Sequence, residues 1–179
     1  VSEKLGADPN RVVTFHSLSK RSNLPGLRSG FAASGEKNIK QMKQLKAYSG
    51  APIPEPLQHV SASVWSDEEH VVENRKIYEK KYKIADQIFD DFDGYFSPEA
   101  GFFLWINVGD GEKVALELWQ NCGVRVLPGR YLAKDFNGQS PGDQFIRVAM
   151  VSELEETKRG LSKIREFLRE NKYRYKNGI

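Results

Sequence analysis

Ser17, Ser19, Lys20, Arg21 and Arg28 crowd hydroxyls and cations into one short stretch, Thr14-Phe15-His16-Ser17-Leu18-Ser19-Lys20-Arg21-Ser22-Asn23-Leu24-Pro25-Gly26-Leu27-Arg28-Ser29-Gly30-Phe31. Such donors suit an anion, above all a phosphate. They gain from standing at the carboxyl end of a strand, where open α/β sheets bind ligands. The same residue types also suit a solvated loop whose lysine and arginines point outward. A second isolated cation, Arg147, interrupts the apolar run Phe145-Ile146-Arg147-Val148-Ala149-Met150-Val151. It either faces solvent on the polar side of a strand or serves a site.

The elements that must hold these residues follow from periodicity. Arg11-Val12-Val13-Thr14-Phe15 has the β-branched and aromatic content of a short buried strand, and Ser29-Gly30-Phe31-Ala32-Ala33 reads as another. Asp8-Pro9-Asn10 turns the chain before the first. Ile39, Met42 and Leu45 recur at three-residue spacing among lysines, which predicts an amphipathic surface helix over 36–47. Pro52, Pro54 and Pro56 impose an extended path on 48–56, the composition of a rigid linker. A short helix is expected over 57–65. Ser66, with acids at 67–69, then reads as the cap and first turn of a long helix reaching Phe92, along Tyr78, Tyr82, Ala85 and Phe89. Beyond Asp93-Gly94, strands are expected over 101–108, 123–127 and 144–151, with helices over 112–122 and 153–171. The last carries Leu154, Thr157, Leu161, Ile164 and Leu168 on one stripe. Helices on a small sheet make an α+β sandwich.

Ser17-Leu18-Ser19-Lys20 followed by Pro25-Gly26-Leu27-Arg28-Ser29-Gly30-Phe31 resembles the cofactor-lysine segment of the class I/II, fold-type I, pyridoxal-phosphate-dependent aminotransferases. The longer string 19–31 is most similar to the N-succinyldiaminopimelate aminotransferase branch. The resemblance implies that Lys20 carries pyridoxal 5'-phosphate and is the catalytic residue. It implies that Ser17 and Arg28 bind the phosphate with help from Ser19. Arg147 would hold the substrate α-carboxylate, and Gly123-Val124-Arg125-Val126-Leu127-Pro128-Gly129 resembles the family's approach to that strand. An arginine fork suits the task because it grips a carboxylate through two parallel hydrogen bonds.

The implied fold is α/β: the carboxyl-terminal part of a PLP-transferase large domain plus an α+β small domain. Residues 1–56 would be the remnant of the large domain, 57–92 a helical connection and 93–179 the small domain. The implied reaction moves an amino group between an amino acid, such as N-succinyl-diaminopimelate, and a 2-oxo acid such as 2-oxoglutarate, in a homodimer. Tyr48 and Ser49 would approach the neighbour's cofactor. The acid that pairs with the pyridine nitrogen and the ring that stacks on the cofactor are expected upstream of Val1, so the chain alone is expected to show little turnover. The alternative is a non-catalytic scaffold or interaction module that keeps the small-domain fold.

Composition narrows the remaining classes. A hydrophobic content of 39% and a charged content of 28% in 179 residues suit a soluble globular protein. The net charge of +3 is accounted for by Lys172, Arg174 and Lys176 near the end. A charge-balanced body argues against a nucleic-acid partner. No apolar run approaches the ~20 residues of a spanning helix, so no membrane is expected. The single cysteine, Cys122, points to packing and a reducing compartment, with cytoplasm as the default. His70 and Glu73 have helical metal-ligand spacing but lack a third ligand, and no metal is expected. Neither a Walker loop nor a Gly-x-Gly-x-x-Gly is present.

Overall fold

The computed structural model describes residues 6–50, 52–171 and 173. Val1–Leu5, Ala51 and the basic tail residues Lys172, Arg174 and Lys176 lie outside them. The chain forms two compact units, divided between Asn74 and Arg75.

In the first unit, β1 (Thr14–Ser17) and β2 (Gly30–Ala33) pair antiparallel, with Thr14 opposite Ala33 and Ser17 opposite Gly30. The ribbon corrects the expectation of a buried strand over 11–15. All four residues of β1 are exposed. Between the strands lies α1 (Leu18–Arg21).

α2 (Glu36–Ser49) is longer than its periodicity suggests, and its apolar stripe is only half-buried at Ile39 and Met42, with Leu45 66% exposed. Tyr48 and Ser49 therefore belong to a helix, not to an extended linker. The prolines act only beyond it. Pro52 and Pro54 precede α3 (Glu55–Ser66), and Pro56 occupies its first turn, where the missing N–H is no loss. Ser66 does not start the next helix either. Its hydroxyl donates back to Ala62 O at 3.0 Å, while Asp67 Oδ1 accepts the Glu69 N–H at 2.9 Å where α4 (Glu69–Ile88) begins.

In the second unit, β3 (Phe103–Asn107), β4 (Leu127–Pro128) and β5 (Phe145–Ala149) form an antiparallel sheet in the order β3-β5-β4. The period of two sends Leu104, Ile106, Ile146 and Val148 to one face. There they meet Ala85 of α4, Phe89 just beyond it, Val114 of α5 (Gly111–Glu117), and Leu161, Ile164, Phe167 and Leu168 of α6 (Leu154–Glu170). These buried residues form one contiguous core, and helices cover one face of the sheet.

The strand expected over 123–127 shrinks to β4. A π-helical turn, Leu118–Cys122, extends α5, and Gly123 at φ +65° ends it in the left-handed region. The amides of Gly123 and Val124 are spent on Trp119 O and Leu118 O, at 3.2 Å each, as helix-closing bonds. Pro128 then sits on the edge of the sheet, opposite Ile146. At the other edge, Asn107 N–H donates to Gly94 O at 2.8 Å. Cys122 is a half-buried free thiol packed against the core. No helix among the described residues is long and apolar enough to cross a membrane.

Lys81 of α4 is only 4% exposed, and its ammonium donates to Met150 O at 2.8 Å and Ser152 O at 2.6 Å. It fastens α4 to the exit of β5. Burial pulls its pKa below the ordinary lysine value of 10.5, against a smaller opposing pull from Glu153.

Candidate active site

The polar stretch of the first unit is built by the ribbon and one helical turn. Ser17 ends β1 and caps α1: its Oγ accepts the Ser19 N–H at 3.1 Å. The same oxygen lies 3.0 Å from Ser19 Oγ and 3.3 Å from Ser29 O. Because Ser17 stands opposite Gly30, the segment 17–20 and the segment 28–29 share one end of the ribbon. Leu18 is fully buried and Ser22 is buried, so α1 turns this face, with Arg21, inward, and Lys20 is exposed on the other. Arg21 consequently leaves the anion-binding set that its residue type suggests.

Arg28 holds a left-handed backbone, φ +54° and ψ 34°, which side-chain-bearing residues rarely adopt. Its Nη1 donates to Pro25 O at 2.8 Å, one of the five N–H donors a guanidinium carries. Strain of this kind concentrates at ligand sites.

Arg147 lies in the second unit, on the face of the sheet opposite the core. Its cross-strand neighbours are Trp105 on β3 and Leu127 on β4. Its guanidinium carbon stands 4.2 Å from the centre of the Phe103 ring, in cation–π range. Its Nε is buried without a hydrogen-bond partner. Beside it, Trp105 and Phe145 stack with ring centres 5.2 Å apart and planes 16° apart. Arg147 is half-buried, and among the described residues no carboxylate pairs with it, so it is not half of an internal ion pair there. The alternation Phe103-Leu104-Trp105-Ile106 carries the signal for this aromatic wall, but sequence reasoning did not connect it to Arg147.

Tyr48 is 89% exposed in the last turn of α2, and Ser49 Oγ donates to Leu45 O at 2.7 Å. His70 pairs through Nδ1 with Asp67 at 2.8 Å, not with Glu73, and that bond lowers the Asp67 pKa. Among the described residues no cluster of metal-ligating side chains occurs.

The donor set at the ribbon end fits the phosphate of pyridoxal 5'-phosphate in its chemistry: two adjacent hydroxyls, an exposed primary amine and a guanidinium fork, with no carboxylate among them.

The family model described as aminotransferase class I and II matches residues 2–164. A crystal structure of an aminotransferase from Neisseria meningitidis Z2491 is 35% identical, superposes with a TM-score of 0.87, and covers 97% of this chain and 43% of its own. A probable N-succinyldiaminopimelate aminotransferase from Thermus thermophilus is 27% identical with a TM-score of 0.75, over 89% of this chain and 42% of its own. The 4-dedimethylamino-4-oxo-anhydrotetracycline transaminase of Streptomyces rimosus is 28% identical over 82% of this chain and 40% of its own length. The chain thus spans about two fifths of the relatives it matches. With two compact units of mixed helix and sheet that superpose on solved aminotransferases, the chain belongs to the class I and II aminotransferase family.

Proposed function

We propose that this chain is the carboxyl-terminal portion of a pyridoxal-phosphate-dependent aminotransferase, with residues 1–56 from its large domain, 57–92 a helical connection and 93–179 its small domain. The observation that supports this most is the ribbon end, where Ser17 and Lys20 on one side face the segment of Arg28 on the other. Arg28 and the hydroxyls of Ser17 and Ser19 hold the cofactor phosphate. The Lys20 amine would hold the cofactor covalently and, once displaced by the substrate amine, would move a proton between the substrate α-carbon and the cofactor. The cofactor, when bound, supplies the electron sink that makes that proton acidic.

Arg147 binds and orients the substrate α-carboxylate. Its buried, unpartnered Nε and the lack of a carboxylate partner among the described residues support this role, since a guanidinium N–H without a partner gains from an incoming carboxylate. Likeness to the Thermus protein supports N-succinyl-diaminopimelate as amino donor, and the acceptor in this reading is a 2-oxo acid such as 2-oxoglutarate. The full protein works as a homodimer in which Tyr48 and Ser49 approach the neighbour's cofactor.

Borohydride reduction in the presence of pyridoxal 5'-phosphate, followed by mass analysis, is expected to give a pyridoxyl group on the peptide that holds Lys20. No such adduct, even when a polypeptide spanning the rest of the fold is supplied, would sink the enzyme reading. Turnover by the 179-residue chain alone is expected to be small.

A further inference from the structure

We infer that Arg21, although it directly follows the lysine, is a positioning residue for Lys20 rather than a phosphate ligand. This rests on the reading of Lys20 given above. The starting point is length. α1 has four residues, too few to hold a helical turn by its own hydrogen bonds. Beyond the Ser17 cap, two side chains hold it. Leu18 is fully buried, and Arg21, three residues on and therefore on the same face, keeps its side chain 11% exposed.

The fork of Arg21 is spent inside the unit. Nη1 donates to Ser22 Oγ at 3.1 Å and to Val64 O at 3.3 Å, and Nη2 reaches Asp67 O at 3.5 Å and pairs with the Glu68 carboxylate. Val64 O, which also accepts the Asp67 N–H at 3.4 Å, and Asp67 O belong to the end of α3 and the elbow after it, where the helix dipole favours a cation. The guanidinium also lies 5.0 Å from the Trp65 ring centre. That ring is itself fixed, edge-on to His16 at 5.2 Å and Phe31 at 5.0 Å, one from each strand of the ribbon.

Arg21 thus ties the lysine-bearing turn to the α3–α4 elbow and, through Trp65, to both strands. Helical geometry then sends Lys20, the adjacent residue, about 100° round the axis and out of the packed face. Lysine at 21 would not serve, because a single ammonium cannot reach carbonyls, a carboxylate and a ring face together. An ordinary exposed ion pair would matter little, but this cation is mostly buried with multiple partners.

The experiment compares the unaltered chain with Arg21→Ala, Arg21→Lys and Glu68→Gln. Each is reduced with borohydride in limiting pyridoxal 5'-phosphate or in pyridoxal, and the Lys20 peptide is quantified against Lys40, Lys43 and Lys46 of α2 as internal standards. The unaltered chain is expected to label Lys20 preferentially with the phosphorylated aldehyde. Arg21→Ala should lower the Lys20 yield about tenfold and erase the preference for phosphate, with Arg21→Lys recovering only part of it. Glu68→Gln, a change at an exposed carboxylate, should give about a threefold drop and serves if Arg21→Ala does not fold. General loosening would lower both labels alike, so the ratio of the two aldehydes is the decisive readout. A folded Arg21→Ala chain with unchanged yield and ratio overturns the role of Arg21 while leaving Lys20 as the cofactor site. An unaltered chain that labels Lys20 no faster than the α2 lysines, even with a polypeptide spanning the rest of the fold supplied, overturns both.

Discussion

Replacing Lys81 by methionine removes a buried ammonium while keeping the length of the side chain. Two charge-assisted bonds disappear, to Met150 O and Ser152 O. Ser152 O keeps a partner, because Thr157 Oγ1 donates to it at 3.0 Å. The loss therefore centres on Met150 O, and a stranded buried carbonyl costs about 1–3 kcal/mol. Against that stands the desolvation of the ammonium, which methionine does not suffer. A net destabilisation of at most about 1–3 kcal/mol near pH 7 follows, or roughly 2–10 °C in Tm.

The pH dependence supplies a sharper signature. Burial lowers the folded pKa of Lys81, so between that lowered value and 10.5 the unfolded chain holds more protons than the folded one. Stability contributed by this residue therefore rises with pH across that window and is flat below it. Urea titrations of the unaltered and Lys81→Met chains, followed by tryptophan fluorescence from pH 7 to 10, should show the gap between them widening towards alkaline pH. A gap that narrows, or a midpoint indistinguishable between the two proteins, would refute the reasoning.

Two further predictions concern the arginines assigned to the ligands. Arg28→Gly relaxes the left-handed backbone and Arg28→Ala does not, so the glycine variant should be about 1 kcal/mol the more stable in urea titrations. Both should lose Lys20 trapping by pyridoxal 5'-phosphate by tenfold or more. Arg147→Lys, placed in a polypeptide that carries the whole fold, should raise KM for the amino acid at least tenfold and leave kcat much less changed; the steady-state kinetics of an amine lacking the carboxylate should not respond.

Much of the second unit was legible because its faces alternate cleanly. Leu104, Ile106, Ile146 and Val148 mark two strands, and Thr157, Leu161, Ile164 and Leu168 mark one side of α6. What failed was decided by partners distant in sequence or by competing local bonds. Val124 and Val126 favour a strand, yet the amides of Gly123 and Val124 were already committed to closing the helix before them. Lys81 is indistinguishable by composition from Lys76, Lys80 and Lys83, and only burial sets it apart. Arg21 and Arg28 read alike as loop cations, whereas one serves packing and the other stands strained at the ribbon end. The lysine, the two serines and Arg28 were identifiable as residues; their convergence required the pairing of Ser17 with Gly30.

Both borders of the three-stranded sheet are poor templates for growth. β4 presents two residues, one of them Pro128 with no N–H to give, and β3 has already given its Asn107 amide to Gly94. A stray strand from another molecule therefore finds few main-chain partners at β4 and none at the Asn107 amide, which guards these two stretches against edge-to-edge pairing.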